Sequence, residues 1–187
     1  MIDFIENGFL VQDLDSPIYS PRNFPYQGLI AYDLFPLIHF HDLESRELSQ
    51  KQHCLRNDYG LLEMRELISD PNLLRRYVSE CKKKGIRIRL LFLESQYQDE
   101  IWSGKAVQKR TLGYEYSPVP FDEQIISDLD WFSGLADFLP KLNKFGLFER
   151  LEDAQAFVER YDKLLLTGNL GDGLETAFLF RISIVAV

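Results

Sequence analysis

The stretch from Asp70 to Glu94 constrains the fold more than any other part of the chain. Asp70 is a capping residue and Pro71 suits a first helical position. Leu73, Leu74, Tyr77, Val78 and Cys81 then recur at the helical period. Lys82, Lys83 and Lys84 fall in the last turn, where the helix dipole favours cations, and Gly85 supplies a left-handed stop. The period changes at once. From Ile86 to Glu94, Ile86, Ile88 and Leu90 alternate with Arg87 and Arg89 before Leu91, Phe92 and Leu93 become uniformly apolar. That pattern predicts a strand that begins near an edge and runs into a covered sheet.

Other segments add to this frame. Leu61, Leu62, Arg65 and Ile68 alternate with Glu63 and Glu66 in a mostly 3.6-residue pattern, which predicts a helix from Tyr59 to Ser69. Thr111 to Ser117 reads as a strand ended by Pro118 and Pro120. Helices are expected at Asp122 to Phe132 and Leu135 to Phe145, with Gly134 and Gly146 as stops. Another helix starts near Leu151, where Ala154, Phe157, Val158, Tyr161, Leu164 and Leu165 form an apolar stripe that Gly168 ends. Phe178, Phe180, Ile182 and Ile184 alternate with Leu179, Arg181 and Ser183, giving a C-terminal strand with one strongly apolar face. The region 1–40 reads as irregular: Pro17, Pro21, Pro25 and Pro36 interleave with Tyr19, Phe24, Tyr26, Tyr32 and Phe35, so it is expected to lie across the core as loop with short extended pieces. Helices and strands mix without a regular βαβ rhythm. The expected class is α+β, a mainly antiparallel sheet packed on one side by helices, with a small α/β arrangement as the alternative.

At 187 residues the chain fits one domain, 1–187, with a core large enough to need no metal or disulfide staple. Asp3 and Glu6 stand where a secretory signal needs basic residues, and no apolar run approaches the roughly 20 residues of a membrane-crossing helix. Cys54 and Cys81 are too few for a disulfide framework. A cytoplasmic location, no membrane contact and no cofactor are expected.

Candidate chemistry is sparse. His39 and His41, two apart, would project from one face of a strand and could share a metal, with Asp42, Glu44, His53 or Cys54 completing the site; the enzyme reading centres on His39, His41 and His53. Gly168, Gly171 and Gly173 follow a helix and precede a strand, the reverse of a phosphate-binding loop.

Charge is more informative. Residues 111–140 carry Glu115, Asp122, Glu123, Asp128, Asp130 and Asp137 with no Lys or Arg, a net of −6, whereas residues 75–110 have a net of +6. Within the predicted helix Ile125, Ile126, Leu129 and Phe132 form the buried stripe, so Asp122, Glu123, Asp128, Asp130 and Trp131 are expected to face outward. With Glu115, Tyr114 and Tyr116 they compose an acidic, aromatic contact set suited to a basic protein. The expectation is therefore a non-catalytic binding module, of the kind that neutralises a basic toxin or nuclease as an immunity-type inhibitor does. A small metal-dependent enzyme using His39, His41 and His53 is the alternative, and a homodimer packed through the N-terminal region is a third reading. The net charge of −8 argues against direct nucleic-acid binding unless the basic half forms a separate patch.

Overall fold

The computed structural model describes residues 3–14, 67–96, 101–117, 135–143, 145–167 and 178–185. Among these residues the chain is α+β. Strands β1 (Ile5–Asp13), β2 (Ile88–Ser95), β3 (Lys109–Ser117) and β4 (Phe178–Val185) form one antiparallel sheet in the order β1-β2-β4-β3. Helices α1 (Pro71–Lys83) and α2 (Leu151–Leu166) accompany it.

Helix α1 forms as its punctuation predicts. The Asp70 carboxylate accepts from the Asn72 N–H at 2.7 Å, a cap generally worth about 1 kcal/mol. At the other end the Lys84 N–H donates to the Glu80 carbonyl and the Ile86 N–H to the Cys81 carbonyl, with Gly85 between them at φ +71°. Leu73, Leu74, Tyr77 and Cys81 are buried. They pack on Phe9, Val11, Leu90 and Phe92, residues that register places on one face of β1 and β2. Helix α2 packs Ala154, Phe157 and Tyr161 against Tyr116 and Leu179. The pairings Glu94↔Arg181 and Tyr116↔Leu179 carry the parity of Phe92 across to β3, so both helices cover the same face. The opposite face holds Leu10, Leu91, Leu93, Phe180 and Ile182, with Leu67 and Leu147 packed against them. Consequently β4 is covered on both sides, with Leu179 and Ser183 as buried as Phe180 and Ile182.

Both edge strands are closed by the same device. Each bulges at a glycine, between Glu6 and Gly8 in β1 and between Thr111 and Gly113 in β3. The next residue then pairs with a passing segment: Phe9 with Ile68, and Tyr114 with Phe148, each through two backbone hydrogen bonds of 2.8–3.0 Å. A Cβ on Gly8 would stand 2.5 Å from the Ile68 oxygen, and one on Gly113 would stand 2.6 Å from the Leu147 Cβ. Only glycine admits so close an approach. Covered edges also remove a template for strand addition.

The structure corrects three expectations. Ile68 and its neighbours, assigned to the end of a helix spanning Tyr59 to Ser69, are extended, because the Ile68 N–H and carbonyl bond Phe9; residues 59–66 lie outside the described residues. The helix expected over Leu135 to Phe145 is a short 3-10 segment, Ala136–Lys141. Pro140 removes a donor there, and Asn143 then turns the chain by accepting from the Phe145 N–H at 2.9 Å while its amide donates to the Leu112 carbonyl at 2.8 Å. Within the N-terminal region, where only short extended pieces are expected, Ile5–Asp13 is a nine-residue strand; residues 15–40 lie outside the described residues. The helix expected at Asp122 to Phe132 lies outside the described residues.

Candidate functional site

Register builds a row of polar side chains on the helix-bearing face. Glu6 of β1 stands opposite Glu94 of β2, Glu94 opposite Arg181 of β4, and Arg181 opposite Tyr114 of β3. Two carboxylates directly opposite one another repel, so this row is stable only with counter-ions. Arg181 supplies one through a bidentate contact with Glu94, its Nε at 2.8 Å from Oε2 and its Nη2 on Oε1. Lys109 supplies the other, its Nζ 2.6 Å from Glu6 Oε1 and 2.9 Å from Glu94 Oε1.

The Lys109 contact also reports the shape of the sheet. Lys109 pairs with Val185, four residues along β4 from Arg181, and three strand intervals separate β3 from β1. A flat sheet would hold Lys109 and Glu6 about 14 Å apart across the strands and about 13 Å along them. Two extended side chains and the contact between them span roughly 14 Å in all. The sheet therefore curls toward the helix-bearing face, and the two glycine bulges supply local bend and twist.

Aromatic rings complete the cluster. Phe4 lies over the Arg181 guanidinium at 4.8 Å, and Lys109 lies over the Phe92 ring at 4.5 Å. The Glu94 side chain is 3% exposed, against 39% for Glu6, 30% for Arg181 and 20% for Lys109. Its hydrogen bond with Glu94 holds Arg181 above its ordinary pKa, with burial opposing. The Ser183 hydroxyl, fully buried, has no hydrogen-bond partner among the described residues. Two anions and two cations leave the cluster neutral as a unit.

Of the contact set read from the sequence, the structure describes Tyr114, Glu115 and Tyr116 of β3. Glu115 and Tyr116 are 4% and 8% exposed, within the protein's own packing. Tyr116 sits on Phe157 and Tyr161 and donates to Asp162 at 3.0 Å; burial, then Asp162, pushes its hydroxyl pKa up. Tyr114 is half-buried beside Phe4 and bonds Arg181. Asp137 of the acidic window is exposed, but Arg160 bonds both its oxygens at 2.6 and 2.7 Å and holds its carboxyl below the usual range. Asp122, Glu123, Asp128, Asp130 and Trp131 lie outside the described residues, as do His39, His41 and His53. Among the described residues no group of three His, Cys, Asp or Glu is placed to hold a metal.

Sequence reasoning missed the Glu94–Arg181 core. Its signal was present: Glu94 follows the apolar run Leu90–Leu93 and Arg181 interrupts the apolar alternation of β4, and a charge in a covered strand needs an opposite charge across the ladder. No protein-family model, curated protein or solved structure matches this chain. Among the described residues no helix is long and apolar enough to cross a membrane.

Proposed function

We propose that the protein is a non-catalytic cytoplasmic module that binds a basic protein, in the manner of an immunity-type inhibitor of a toxin or nuclease. Asp122, Glu123, Asp128, Asp130 and Trp131 make the contact. One observation on charge carries this reading. Ion pairs among the described residues include six carboxylates (Glu6, Glu80, Glu94, Asp137, Glu152 and Asp153) and six cations (Lys83, Lys109, Lys141, Arg150, Arg160 and Arg181). These cancel one for one. The whole excess of −8 therefore belongs to groups outside these pairs. The window 111–140 contributes to it without a single Lys or Arg, and with Glu115 buried and Asp137 paired its recognition chemistry narrows to the four carboxylates from Asp122 to Asp130.

Clustered carboxylates raise the local concentration of a cationic partner and speed its encounter, while a tryptophan supplies contact energy once docked. The test is affinity capture with the tagged chain, followed by the same capture with Asp122, Glu123, Asp128 and Asp130 all changed to Lys. A basic partner retained by the wild type and lost by the variant supports the proposal. A partner of acidic composition, or retention unchanged by the four substitutions, overturns it.

A further inference from the structure

We infer that Lys109, Arg181 and Ser183 form a binding site for a small oxyanion, a carboxylate or a phosphomonoester, and that the Glu6 carboxylate competes for its Lys109 donor at rest. This site is separate from the acidic contact set, so either proposal can fail without the other.

Counting donors leads to it. A guanidinium has five N–H groups and an ammonium three. Arg181 uses two on Glu94 and one on Tyr114; Lys109 uses one on Glu6 and one on Glu94. Both cations keep donors in hand, and both are partly exposed, at 30% and 20%. Ser183 adds an independent observation. Its hydroxyl is completely buried and has no partner among the described residues, a costly arrangement for a polar group. Strand alternation puts it on the same face as Arg181, and its register partner is Phe92, whose ring lies 4.5 Å from Lys109 Nζ. The unfilled donor capacity of three residues thus belongs to one patch of the sheet.

Charge explains why an anion, and why Glu6 yields to it. Glu94 is 3% exposed and held by both cations, so it stays. Glu6 is 39% exposed, sits on an edge strand, and is bonded by Lys109. When Glu6 swings outward, two cations face one carboxylate, and the patch carries one positive charge that a visiting anion neutralises. Phe4 and Tyr114, 6.1 Å apart at the rim, provide aromatic surface for an organic substituent.

The experiment is an amide-shift titration of the full chain with inorganic phosphate and, separately, with acetate at constant ionic strength. Saturable shifts centred on Lys109, Arg181 and Ser183 are expected, and the tighter of the two ligands identifies the source class. Lys109→Met is expected to weaken binding by about tenfold or more, the loss of one charge-assisted hydrogen bond. Ser183→Ala, a small change that spares the ion pairs, should weaken it several-fold. Glu6→Gln removes the internal competitor and should tighten it. The proposal is overturned if neither anion saturates, or if Ser183→Ala and Glu6→Gln both leave the affinity unchanged.

Discussion

Removing the guanidinium from Glu94 is the sharpest perturbation of the fold. In Arg181→Met the carboxylate stays 3% exposed but loses its bidentate partner, retaining Lys109 at 2.9 Å. Breaking a buried ion pair from one side generally costs about 3–5 kcal/mol. The remaining ammonium places this case at the low end, about 3 kcal/mol. For a chain of this size each kcal/mol shifts the melting temperature by about 2–4 °C, so a drop of about 6–12 °C is expected. The companion variant, Glu94→Met with Arg181→Met, replaces both charges with apolar side chains and should recover most of that loss, since buried pairs exchange for packed hydrophobes at little net cost. Urea midpoints for the wild type, the two single variants and the double variant supply the complete cycle. A single variant that loses less than about 1 kcal/mol, or a double variant less stable than Arg181→Met alone, would refute the view that the row is held by charge compensation.

Further outcomes follow from other contacts. Gly8→Ala should destabilise by more than about 1 kcal/mol and speed amide exchange at Phe9 and Ile68, because its Cβ would meet the Ile68 oxygen at 2.5 Å. Asp70→Ala removes the cap of α1 and should cost about 1 kcal/mol by chemical denaturation. Asn143→Ala strips the Leu112 carbonyl and the Phe145 N–H of their partner and should cost about 2 kcal/mol by the same assay. Tyr116 keeps its proton more tightly folded than unfolded, so its contribution is intact below the ordinary tyrosine value near 10 and is lost as pH rises above it. Stability measured against pH should therefore fall less steeply on the alkaline side in Tyr116→Phe than in the wild type.

Local punctuation made some of this fold readable in advance. Asp70, Pro71 and Gly85 delimit α1 because capping and left-handed residues act within one turn, independent of what lies far away. The stripe of Ala154, Phe157 and Tyr161 likewise survives as the buried face of α2. What failed depended on distant partners. Ile68 follows a helical pattern in sequence, yet its backbone is taken by Phe9, nearly sixty residues earlier. Leu135 to Phe145 carries apolar spacing enough for a helix, but Pro140 and the Asn143 turn divert it toward the β3 edge. The same limit applies to the site. Composition located Glu115 and Tyr116 in an acidic window, whereas their burial is set by how β3 packs. Glu6, Glu94, Lys109 and Arg181 span 176 positions of sequence, and only strand register shows that they meet.

The proposed function rests on the carboxylates at Asp122, Glu123, Asp128 and Asp130, in a window without Lys or Arg. The decisive measurement is the association rate of the captured basic partner against ionic strength, for the wild type and for the chain with Asp122, Glu123, Asp128 and Asp130 changed to Lys. The wild-type rate should fall steeply as salt shortens the screening length toward about 8 Å, and the variant should associate at least about tenfold more slowly in dilute salt, with a flattened dependence. Equal rates for the two proteins, or a wild-type rate indifferent to salt, would contradict the account.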